Sequence, residues 1–109
     1  MTDPLLLCFC ACPDRDTALR IAQTLVEERL AACASLLPGA TSVYRWEGRI
    51  EQAKETLLLI KTRRERLPAL SGRLRGLHPY SVPELIAFEA VGGLPDYLHW
   101  VAEETRVPD

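Results

Sequence analysis

Three cysteines, Cys8, Cys10 and Cys12, alternate within the first dozen residues of the chain. Their thiolates are soft donors of the kind that suit copper. If the segment is a strand, all three side chains share one face. The strand rise sets neighbouring thiols roughly 6.5–7 Å apart, too far for two of them to share one ion within a rigid strand. Core packing as small hydrophobes is the competing role, above all for Cys8 and for the fourth cysteine, Cys33. Cys12 falls at the segment's end, where solvent reaches it. Cysteines at i and i+2 of one strand sit poorly for a disulfide, so free thiols in a reducing compartment are expected.

The second chemical stretch runs His78-Pro79-Tyr80-Ser81-Val82-Pro83-Glu84. Two prolines stiffen it, so His78, Tyr80 and Glu84 are presented from a fixed loop. A histidine near a carboxylate suits metal binding or acid–base work; capping the preceding helix C-terminus is the plainer role. Tyr44 and Trp46 share a strand face, placed either to line a pocket or to pack across a subunit boundary. Glu55, Lys61 and Glu84 are charges beside strongly apolar strands, as an ion pair in a cleft or as solvated strand ends. No phosphate-binding glycine loop or paired-histidine zinc motif appears, and the chain does not read as an enzyme.

The elements that must position these groups are legible from pattern. Residues 4–12 are continuously apolar between Pro4 and Pro13, as in a strand covered on both faces. Residues 14–32 repeat apolar positions at helical spacing, with Asp14 as cap. Residues 33–37 form a short apolar segment, Pro38-Gly39 a bend, and residues 41–46 a strand. Glu47-Gly48 is a turn pair leading to a strand over 50–61, which makes a hairpin. Residues 63–77 carry a leucine stripe; Thr62 and Glu65 have capping-box spacing. Pro68 demands either a later start or a distorted first turn. A strand over 84–90 follows, and Pro95 opens a last helix with Tyr97, Leu98 and Val101 along one side. The order βαββαβ is the split pattern of ferredoxin-like α+β domains, here with an extra C-terminal helix.

That layout covers one sheet face with two helices and leaves the other to water, which calls for polar residues at alternate positions. The chain departs from this. Leu57-Leu58-Leu59-Ile60, Leu5 to Leu7 and Leu85-Ile86-Ala87-Phe88 are apolar on both sides. One further short helix covers only part of such a face, and soluble monomers rarely expose large apolar patches. An oligomer is expected.

Size and composition narrow the classes. The chain has 109 residues, enough for one domain, with 48% hydrophobic and 26% charged residues and a net charge of −2. It is neither disordered nor strongly basic. Lys61, Arg63, Arg64 and Arg66 are interrupted by Glu65, so nucleic acid is not an expected partner. The opening Met-Thr-Asp-Pro lacks the basic region of a signal peptide. The apolar run Leu5 to Ala11 falls far short of the roughly 20 residues of a membrane span. A cytoplasmic protein is expected.

Several segments together resemble the CutA family of divalent-cation tolerance proteins: Cys10-Ala11-Cys12-Pro13-Asp14, Leu25–Cys33 (LVEERLAAC), Leu37–Gly48 (LPGATSVYRWEG), Glu55–Thr62 (ETLLLIKT), His78–Leu85 (HPYSVPEL) and Tyr97–Trp100 (YLHW). They occur in order over nearly the whole chain, residues 1–109 as one domain. The resemblance implies a ferredoxin-like homotrimer, similar in architecture to nitrogen-regulatory PII proteins, with a role in tolerance of divalent metals, copper above all. It implies weak binding of copper(II) or another divalent cation at Cys10 and His78. The chain departs from those members that carry two adjacent histidines, because Leu77 precedes His78. A pocket formed by Tyr44, Trp46, Lys61, Tyr80 and Glu84 accompanies this reading. The alternatives are a PII-like sensor that takes a small anion or metabolite between subunits, and a structural trimer that displays partners.

Overall fold

A computed structural model describes residues 4–107. The opening Met1-Thr2-Asp3, read above for a leader's basic region, lies outside the described residues. The elements are β1 (Leu5–Cys12), α1 (Arg15–Glu27), β2 (Cys33–Trp46), β3 (Arg49–Arg63), a 3₁₀ turn (Arg64–Arg66), α2 (Leu67–Leu77), β4 (Ile86–Glu89) and α3 (Pro95–Glu104). The four strands form one antiparallel sheet in the order β2-β3-β1-β4. This is the ferredoxin-like arrangement expected from the element order.

One sheet face carries Leu6, Cys8, Cys10, Leu58 and Ile60, all buried in a core with Ala18, Ile21, Leu25, Leu70 and Leu74 of the two helices. The other face carries Leu7, Phe9, Leu57, Leu59 and Lys61, by the alternation of the paired strands. The terminal helix α3 reaches one end of that face. Arg63 donates from Nε to Thr105 Oγ1 at 2.9 Å and from Nη2 to the Thr105 carbonyl at 2.8 Å, and Val101 is fully buried. Beyond α3 the face stays open: Phe9 is 39% exposed, Leu37 43%, Ile86 49% and Phe88 54%.

Helix α1 begins as expected, with the Asp14 carboxylate accepting from the Thr17 N–H at 2.8 Å. That bond holds the Asp14 carboxyl below its ordinary pKa. The helix ends at Glu27, short of the expected residue 32. Arg29 takes a positive φ of 59°, the Leu30 N–H bonds the Leu25 carbonyl, and the Arg29 N–H bonds the Val26 carbonyl. These are the two bonds of a Schellman motif, with arginine where glycine is usual. The capping box is not made. Thr62 instead donates its hydroxyl to the Leu30 carbonyl at 2.7 Å, the 3₁₀ turn follows, and Pro68 falls in the first turn of α2.

The expected bend at Pro38-Gly39 is a β-bulge within one continuous strand. Leu37 pairs with Leu57 but Ala40 pairs with Glu55, so β2 gains one residue against β3. Gly39 supplies the positive φ of 81°. The extra residue switches which side chains of β2 face the open side. Beyond it Ser42, Tyr44 and Trp46 share the face of Glu55. The hairpin closes on Glu47 and Gly48 with φ of 50° and 79°, the signature of a type I′ turn.

Candidate functional site

The thiols of Cys10 and Cys12 and the imidazole of His78 converge. Their ligand atoms all lie within 4.8 Å of one another, and all three residues are buried. The rise along β1 separates backbones, not sulfurs, and the two side chains lean together. The expectation that two of these thiols cannot approach one ion is therefore corrected. So is the expected solvent access of Cys12, which is 0% exposed. Cys8 is a fully buried core residue, and burial pushes its thiol up to about 11. All four cysteines are free thiols.

His78 is delivered by the end of α2. Its N–H bonds the Leu74 carbonyl at 2.9 Å, and Pro79 stops the helix from continuing. The ring then turns inward to β1, where Nε2 meets the Ala11 carbonyl at 2.8 Å. Nδ1 accepts from the Tyr80 N–H at 3.2 Å. A backbone donor on Nδ1 assigns the proton to Nε2, so Nε2–H donates to Ala11. The ring also packs on Tyr80 with centroids 4.7 Å apart.

The two sulfurs are close enough to perturb one another, and the Cys10 thiol also points to the Ala11 carbonyl at 3.9 Å. A hydrogen bond between them raises the Cys10 pKa strongly and lowers that of Cys12. Burial raises Cys10 further, and the charges of Glu84 and Glu55 oppose a thiolate at both positions. The field of those carboxylates therefore favours positive charge at the cluster. Two sulfurs and one imidazole make a donor set for copper or zinc rather than for magnesium or calcium.

Beside the cluster lies a recess of about 720 Å³, whose lining includes Tyr44, Trp46, Glu55, Leu57, Tyr80 and Glu84. Ala11 also lines it, so the residue whose carbonyl holds His78 joins the two sites. The Tyr80 hydroxyl donates to Glu55 Oε2 at 2.8 Å. Burial, then this bond and the carboxylate charge, push the Tyr80 pKa well above its ordinary value. Four of the five expected pocket residues, Tyr44, Trp46, Tyr80 and Glu84, are brought together here. Lys61 is not: six residues beyond Glu55 along β3, its ammonium donates to Ser35 Oγ at 2.8 Å and approaches Cys33 Sγ at 3.7 Å. Its alternation on β3 was readable from sequence, but its distance from the recess follows from the register. Glu55, seen in the sequence only as a charge beside an apolar strand, is the recess's buried carboxylate.

Comparison with known proteins follows the same lines. The family model for CutA1 divalent ion tolerance protein matches residues 6–104. The chain is 47% identical over 93 residues to the divalent-cation tolerance protein CutA of Thermus thermophilus, covering 85% of this chain and 90% of that one. It is 47% identical over 98 residues to mouse protein CutA, covering 90% of this chain but only 55% of the mouse protein's length. The crystal structure of CutA from Xylella fastidiosa superposes with a TM-score of 0.92 at 48% identity, over 94% of this chain and 99% of that one. An Arabidopsis relative is named chloroplastic, and an Archaeoglobus fulgidus structure is named periplasmic. Among the described residues, no helix is long and apolar enough to cross a membrane.

Proposed function

The chain belongs to the CutA1 divalent ion tolerance family, and from that premise we propose that it serves divalent-metal tolerance by taking a thiophilic cation, copper or zinc, at Cys10, Cys12 and His78. The observation that carries this reading is the convergence of two thiols and one imidazole within 4.8 Å in a buried corner. The metal is cargo here. Its arrival displaces the thiol protons of Cys10 and Cys12 to solvent, and His78 gives up one of its two ring hydrogen bonds to become a ligand. Both exchanges cost free energy, so the binding is weak. The protein acts by binding rather than by catalysis. Its free thiols suit the reducing cytoplasm.

We extend the proposal to a homotrimer built on the Phe9–Phe88 part of the open sheet face, with the hairpin end that carries Glu55 and Trp46 at the edge of the contact. Phe9 and Phe88 pack with ring centroids 5.6 Å apart, and with Leu37 and Ile86 they present the kind of apolar patch that soluble monomers rarely leave uncovered. A small anion is a poor occupant for the recess, which is lined by two carboxylates and by no lysine or arginine among the described residues. The anion-binding form of the PII-like reading therefore gains nothing from the geometry.

Two measurements test the proposal. Calorimetric titration with zinc under reducing conditions should show one saturable site per chain, lost in the Cys10→Ser/Cys12→Ser double variant. Saturable binding that survives both substitutions would refute the site. Light scattering should give a mass near three chains, and a monomer would refute the assembly.

A further inference from the structure

We propose that the recess beside the thiol cluster binds a small primary ammonium compound, with its N–H groups directed to Glu55 and Glu84 and its apolar stem against Trp46 and Leu57. The proposal goes beyond metal tolerance and stands on different residues.

The recess volume of about 720 Å³ lies within the range of small-molecule pockets, which combine apolar walls with a few placed polar groups. Its charged groups are of one sign. Glu55 is only 8% exposed, an unusual burial for a carboxylate. Among the described residues its hydrogen-bond partner is the neutral Tyr80 hydroxyl. No salt bridge holds Glu55 or Glu84 among the described residues. A buried carboxylate is ordinarily paired with a cation, so the recess is built for positive charge.

The walls decide which cation. Tyr44, Trp46 and Tyr80 present aromatic rings, which attract organic cations through their faces. A hard metal ion wants six or more oxygen ligands; here the Tyr80 hydroxyl is already committed as a donor to Glu55, and the aromatic faces add no oxygen. An ammonium group satisfies carboxylate acceptors with its own hydrogens, while an alkyl stem matches Leu57 and Trp46. The bulge at Pro38-Gly39 is what makes the combination. Without its extra residue, Tyr44 and Trp46 would point away from Glu55.

The test uses the full-length chain in its native assembly. The chain has two tryptophans, so a Trp100→Phe background leaves Trp46 as the sole reporter. n-Butylammonium chloride is titrated against sodium chloride of equal ionic strength and against n-butanol. The expected result is a saturable change in Trp46 fluorescence with butylammonium, none with sodium chloride, and at least about tenfold weaker binding of the alcohol. Glu55→Gln, which still accepts from Tyr80, and the exposed Glu84→Gln should each weaken butylammonium binding by about tenfold. Zinc binding is measured in parallel on the same variants, so a failure of the metal reading is distinguishable from a failure of this one. Equal binding of the alcohol would overturn the proposal by making the recess merely apolar. Unchanged affinity in both glutamine variants would overturn it, and so would the absence of any saturable response, which would mean that a neighbouring subunit fills the recess.

Discussion

Replacing His78 by alanine should destabilise the protein by about 2–4 kcal/mol. The ring is 7% exposed and makes two hydrogen bonds, donating to the Ala11 carbonyl at 2.8 Å and accepting from the Tyr80 N–H at 3.2 Å. Each such bond is worth about 1 kcal/mol net, and a buried partner left unpaired costs about 1–3 kcal/mol. Tyr80 lies in the exposed loop, so water can repair its N–H. The Ala11 residue is buried, and its carbonyl keeps only the long, weak contact from the Cys10 thiol at 3.9 Å, so it carries most of the penalty. His78→Gln places an amide N–H near the old Nε2 and should recover about half the loss. The assay is urea denaturation at fixed protein concentration, compared through the midpoints at constant slope. An alanine variant as stable as the parent would refute the view that His78 is a doubly bonded core residue. It would equally remove the reason given for weak metal binding.

Other perturbations probe separate steps of the account. Gly39→Ala should cost about 1–2 kcal/mol, from the positive φ alone, because nothing lies within 4 Å of an added Cβ; the urea midpoint measures the cost. Thr62→Val leaves the Leu30 carbonyl without its 2.7 Å donor and should cost about 1–3 kcal/mol, with Thr62→Ser recovering most of it in the same assay. Burial raises the Cys8 thiol from 9.0 to about 11, so the fold favours the neutral form. That contribution to stability is complete below pH 9.0 and is lost as pH rises towards about 11. Urea midpoints measured across that window should fall, and Cys8→Ala should flatten the fall.

Much of the fold was legible because apolar periodicity, Asp14, the Glu47-Gly48 pair and Pro95 all pointed one way. The misreadings have local causes. Arg29 adopts the left-handed conformation where the motif usually has glycine, so helix α1 gave no stop signal. Thr62 had capping-box spacing, but the buried Leu30 carbonyl claims its hydroxyl. The Pro38-Gly39 bulge reads as a bend, since only the cross-strand register reveals that the chain continues in the same strand. In the site, Cys10 and His78 could be named from the resemblance, whereas Cys12 could not. Strand rise counts backbone separation and misses two side chains leaning together. Glu55 was visible as a charge in an apolar strand, but its pairing with Tyr80 depends on a loop that arrives from 25 residues further along the chain.

The most direct test of the central claim is the X-ray absorption spectrum of the chain loaded with one equivalent of zinc. The account predicts a first shell of two sulfurs with at least one imidazole nitrogen, and loss of one sulfur in Cys12→Ser. A shell of oxygen and nitrogen alone, unchanged by that substitution, would place the metal elsewhere and contradict it.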